Sequence, residues 1–101
     1  MYVAMNRFRV KSDQEEAFEE VWRNRDSHLE QVPGFKSFDL LKGAPLDDGT
    51  TLYASHTIWE SHQHFVDWTK SEHFRQAHKN AGNNKTLYDG PPSFEGFEKV
   101  L

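Results

Sequence analysis

Cysteine is absent from the 101 residues. That gap excludes disulfide scaffolds, Cys-ligated zinc, iron–sulfur clusters and a thiol nucleophile. Long apolar runs are missing too: none approaches the ~20 residues that a membrane-spanning helix needs. Residues 1–11 hold Arg7, Arg9 and Lys11 but no apolar stretch of the secretory-leader type, so a cytoplasmic location is expected. Basic charge is short. Twelve Lys and Arg face sixteen Asp and Glu, a formal net charge of −4, and the cations are scattered. A nucleic-acid binder needs a basic face to displace counterions, so neither nucleic acid nor an anionic membrane is expected as a partner. Phosphate loops, nucleophile elbows and a G-x-G-x-x-G fingerprint do not occur. Any redox chemistry would therefore draw on an external electron donor.

Aromatic residues are plentiful: eight Phe, three Trp and three Tyr. Large rings bury much area per residue and also line sites for flat ligands. Their spacing reads as a β-α-β-β-α-β order. Residues 2–10 alternate as a strand, with Tyr2, Ala4, Asn6, Phe8 and Val10 on one face. Residues 13–31 repeat near the helical period through Ala17, Phe18, Val21, Trp22, Leu29 and Val32. Ser12 and Glu15 stand at capping-box spacing before them, and Pro33-Gly34 ends the run. Strands are expected over 35–43 and 51–59, joined through Gly43 to Thr50 with the turn residues Pro45 and Asp48-Gly49. Residues 61–81 read as helical in two pieces, the first capped by Ser61 and the second by Thr69 or Ser71. A Gly-, Asn- and Pro-rich loop over 82–92 leads to a last strand over 93–100. One α+β domain of ferredoxin-like pattern is expected over 1–101. In the 51–59 strand both faces carry apolar residues, so helices should cover one side and a second subunit the other, giving a homodimer.

Three residues stand out for chemistry. Phe74, Ala77 and His78 lie at i, i+3, i+4, which sets the imidazole on or beside an apolar stripe. His78 reads as a core-edge histidine or as an axial ligand to haem iron. Trp68, ten residues upstream, reads as core or as a bulky ring pressed on a flat ligand. Asn6 interrupts an apolar strand face, and a buried amide there needs hydrogen-bond partners. It is either an edge residue bonded to backbone or water, or a donor aimed at a bound oxygen species. His62 and His64 are two apart on a helix and cannot share a metal.

The segment Phe65-x-x-Trp68-x-x-Ser71-x-x-Phe74-Arg75-x-Ala77-His78, with Asn6-Arg7-Phe8, resembles the IsdG-type haem-degrading monooxygenases of the antibiotic-biosynthesis-monooxygenase (ABM) superfamily. Val32-Pro33-Gly34-Phe35 and Thr57-x-Trp59-x-Ser61 extend the likeness over most of the chain. The resemblance implies a dimeric ferredoxin-like α+β barrel. It implies haem as both substrate and cofactor, with O2 and electrons from a reductase, and oxidative opening of the porphyrin to a bilin-type product with iron release. Position by position it makes His78 the axial iron ligand, Asn6 the donor to oxygen and Trp68 the residue that distorts the ring. Phe65, Phe74 and Arg75 would complete the haem pocket, with the propionates near solvent, Arg75 or Lys79. Two other functions share the same residues. One is a cofactor-independent ABM monooxygenase acting on a polycyclic aromatic or quinol; the other is a haem-binding protein without catalysis.

Overall fold

The computed structural model describes residues 1–25, 28–72, 74–75 and 87–101. Among the described residues six principal elements follow in order: β1 (Tyr2–Lys11), α1 (Glu15–Arg23), β2 (Phe35–Pro45), β3 (Thr50–Trp59), α2 (His62–Thr69) and β4 (Ser93–Glu98). The strands form one sheet in the order β2-β3-β1-β4, every neighbouring pair antiparallel. The expected ferredoxin-like α+β fold is what the chain adopts.

The alternation read from β1 sets the layers. Tyr2, Ala4, Phe8 and Val10 are buried beneath the helices. In β3 the residues opposite them are Trp59, Thr57, Tyr53 and Thr51. Paired residues on neighbouring strands share a face, so Asn6 and its partner Ser55 belong to the same helix-covered side. Two aromatic clusters form there. One gathers Tyr2, Ala4, Leu29, Val32 and Trp59, with Phe65 and Trp68 against it. The other gathers Phe8, Val10, Phe18 and Tyr53, with Trp22 and Tyr88 against it. Asn6 sits in the gap between them, so the one polar break in the β1 pattern coincides with the division of the core.

The first helix departs from expectation. It ends at Arg23, and a 3-10 turn covers Leu29–Gln31 after His28, whose φ of 51° is left-handed. Leu29 and Val32 are still buried. An i, i+3 spacing serves a 3-10 turn as well as a helix, which is why periodicity alone ran the two together. The capping box does not form. Ser12 donates its hydroxyl to the Gly49 carbonyl at 2.8 Å, tying β1 to the β2–β3 turn. Glu15 instead accepts from Thr51 Oγ1 at 2.6 Å and pairs with Lys42 at 2.8 Å, which holds its carboxyl below the usual range. At α2 the expected cap is present: Ser61 Oγ accepts from the His64 amide at 3.2 Å. Ser71 caps the turn that follows, accepting from the Phe74 amide at 3.2 Å.

The opposite sheet face carries Val3, Met5, Leu52, Ala54 and Ile58, with Leu41 and Phe97 left exposed. None of the described helices lies over that face.

Candidate functional site

Two adjoining cavities open where the aromatic clusters part. The outer one, about 470 Å³, lies between α1, α2 and the Asn6 stretch of β1, and Phe8, Trp22, Phe65, Trp68, Phe74 and Phe94 give it an aromatic wall. A volume of this order suits one drug-sized or cofactor-sized organic ligand. The inner one, about 180 Å³, runs over the sheet toward β3 and reaches Ser55 and Thr57. Asn6, Trp22, Arg25, Phe65 and Trp68 border both.

Helical spacing explains the wall. Phe65 and Trp68 stand at i, i+3 on α2, with ring centroids 6.1 Å apart. Trp68 rests on the fully buried Trp59 at 5.3 Å and meets Phe74 edge-on at 4.8 Å. Phe65 stacks on Phe94 of β4 at 5.6 Å. On the α1 side, Trp22 stacks on Phe38 at 5.6 Å. Rings held from two directions keep their orientation, so the site is a preformed slot for a flat apolar body.

The polar groups are few. Asn6 presents its amide from the floor. Arg25 places its guanidinium 4.1 Å above the Trp22 ring. Burial lowers the Arg25 pKa from its ordinary value, against the opposing influence of Tyr88. Among the described residues no carboxylate pairs with it. A desolvated cation beside an apolar slot is suited to an anionic group on a ligand.

Of the residues singled out in the sequence, Asn6, Phe65, Trp68 and Phe74 meet at this slot. Arg75 does not border either cavity; it is exposed and pairs with Glu72 on its own turn. His78 and Lys79 lie outside the described residues. Three residues of the site were missed: Trp22, Arg25 and Ser55. Trp22 and Arg25 stand three apart, but α1 ends at Arg23, and Arg25 reaches the Trp22 ring from the turn that follows, where its amide donates to the Trp22 carbonyl at 3.3 Å. Ser55 interrupts the Tyr53–Trp59 face of β3 as Asn6 interrupts β1.

Residues 1–80 match the family model described as antibiotic biosynthesis monooxygenase. A curated relative, a staphylobilin-producing heme oxygenase of Staphylococcus haemolyticus, is 29% identical over 92 residues, 91% of this chain and 85% of the relative. Among solved structures, the heme-degrader MhuD of Mycobacterium tuberculosis, with two hemes bound in its active site, is 28% identical with a TM-score of 0.74, covering 100% of this chain and 97% of that one. SnoaB, a cofactor-independent oxygenase of Streptomyces nogalater, shares the fold with a TM-score of 0.69 at 22% identity, covering 99% and 93%.

Proposed function

This chain belongs to the antibiotic biosynthesis monooxygenase family, and within it we propose that the chain is a haem-degrading monooxygenase. The observation that carries the reading is the aromatic slot of about 470 Å³ with one amide on its floor and one desolvated guanidinium beside it. That donor set fits haem: rings to cover the macrocycle, a cation for a propionate, an amide for a small polar ligand at the metal. The haem-degrading relatives support the same reading.

When bound, haem supplies the iron at which O2 is activated with electrons from an external reductase. The protein's part is to hold and shape. His78, which lies outside the described residues, would hold the haem iron through a neutral imidazole nitrogen. Asn6 would offer its amide N–H to a small polar ligand from the floor of the slot, and a donor already in place counts most where water is excluded. Trp68, backed by Trp59 and Phe74, would press its ring on a bound macrocycle and so favour its distortion. Arg25 takes a propionate, the role first expected of Arg75 or Lys79. The product is a bilin-type tetrapyrrole with release of iron. A second copy of the chain covers the opposite sheet face, where Leu41 and Phe97 are exposed, giving a cytoplasmic homodimer that serves iron acquisition.

The test begins with a haemin titration of the purified protein, in which a Soret shift saturating near one haemin per chain is expected. Ascorbate is then added in air with catalase present, and the Soret band should decay into bilin absorption. No Soret shift would sink the proposal and favour an organic ring such as a quinol in the same slot. A shifted band that persists under reductant would make the chain a haem binder instead.

A further inference from the structure

The inner cavity holds a second polar group that the mechanism above does not use. Asn6 and Ser55 are directly paired across β1 and β3. Such partners project from the same face with Cβ atoms about 4.5–5.5 Å apart. Both border the inner cavity. Ser55 is only 8% exposed, and among the described residues neither side chain has a hydrogen-bond partner. The neighbouring polar group is already committed. Thr57 donates its hydroxyl to the Ala4 carbonyl at 3.3 Å and accepts from Trp59 Nε1 at 2.9 Å. On its other side Ser55 faces Leu40, which offers nothing polar.

A buried hydroxyl left without a partner costs about 1–3 kcal/mol. The Asn6 amide and the Ser55 hydroxyl, side by side on the floor of one chamber, therefore form a place for a small polar ligand. Size sorts the occupants. The inner 180 Å³ admits dioxygen or a few waters, at roughly 30 Å³ per water, whereas the outer 470 Å³ is the space that suits a tetrapyrrole.

We propose that Ser55 is a positioning residue of this site: with Asn6 it forms a two-point hydrogen-bonding clamp that holds the small oxygen ligand in the inner chamber, against the face of the flat substrate. The inference rests on the haem reading. The Asn6 amide supplies a fixed donor. The Ser55 hydroxyl can donate or accept as its proton rotates, so the pair can orient a bent ligand where one donor could not.

Ser55→Val and Ser55→Thr test it, since the two side chains have nearly the same shape and differ in the hydroxyl. The full chain is loaded with haemin, and two quantities other than turnover are read. These are the cyanide affinity of the ferric complex and the C–O stretching frequency of the ferrous carbon monoxide complex. Loss of one hydrogen bond should weaken cyanide binding about three- to ten-fold in Ser55→Val and raise the C–O frequency. Haemin affinity should be unchanged, and Ser55→Thr should behave as wild type. If Val and Thr variants match wild type in both readouts, the clamp is wrong while the haem reading stands. If wild type itself binds no haemin, the haem reading fails and the clamp falls with it. Should Ser55→Val not fold, Ser55→Ala against Ser55→Thr carries the same comparison.

Discussion

Arg25→Met separates what Arg25 does for the fold from what it does for a ligand. Methionine keeps an unbranched chain lying across Trp22 and removes the charge. In the protein alone, two effects oppose each other. The cation–π contact at 4.1 Å is lost, worth about 0.5–2 kcal/mol. The burial that depresses the Arg25 pKa is relieved, and no carboxylate among the described residues is stranded by the change. A net effect within about 1 kcal/mol moves Tm by no more than about 4–8 °C in a domain of this size. Binding should respond far more. A hydrogen bond between guanidinium and carboxylate is worth about 1.5–3 kcal/mol, so the haemin Kd should rise about ten- to hundred-fold. The assay is a Soret titration of wild type and variant with haemin, repeated with haemin dimethyl ester. The ester has no propionate charge, so the two proteins should bind it alike. Equal haemin affinity in both proteins would refute the pairing. A loss of the same size with the ester would show that Arg25 acts through packing.

Asn6→Ala should keep haemin affinity and slow Soret decay under ascorbate, whereas His78→Ala should weaken haemin binding itself; full turnover by Asn6→Ala would contradict its role as oxygen donor. Tyr53 donates to Glu19 at 2.5 Å, and burial first, then Glu19, raises its pKa above the ordinary 10.0. The unfolded chain thus loses that proton first, so the stability Tyr53 contributes is complete below pH 10.0 and declines as pH rises above it. Urea midpoints taken across that range should fall in wild type and fall less in Tyr53→Phe, which should also cost about 1–3 kcal/mol at neutral pH; parallel alkaline declines would refute the assignment. Gly34 has φ of +82° and the His64 ring occupies the space a Cβ would need. Gly34→Ala should therefore lower stability by about 1–3 kcal/mol or more, and an unchanged urea midpoint would contradict the overlap.

Alternation and turn residues carried the strand order because a strand repeats every two residues, and β1 obeys that rule from Tyr2 to Val10. The end of α1 was less legible. Leu29 and Val32 look helical by spacing, yet the left-handed His28 breaks the backbone before them, and no local signal in His28 announces it. Ser12 and Glu15 matched a cap by spacing, but each found a stronger tertiary partner, Gly49 for one and Thr51 with Lys42 for the other. A motif of two residues cannot reveal that competition, because the competing groups lie 27 residues or more away in the chain.

The site divides the same way. Asn6 was visible because it breaks an apolar face; Trp68 reads as core on its own, and the family resemblance is what marks it. Ser55 breaks its face by the same rule, but Thr51 and Thr57 flank it in β3, so one more hydroxyl carried no contrast. Only the sheet register distinguishes them: it sets Ser55 opposite Asn6 and leaves Thr57 occupied by Ala4 and Trp59. Arg25 was hidden for the opposite reason. It stands among Arg23, Asn24 and Asp26, where a charge reads as solvated surface. Its burial comes from the ring of Trp22 beneath it and from the cavity beside it, both products of packing. The residues that sequence found are those whose own type is out of place. Those it missed are ordinary in type and unusual in their company: in this chain a partly buried guanidinium and a second polar side chain stand beside the aromatic slot.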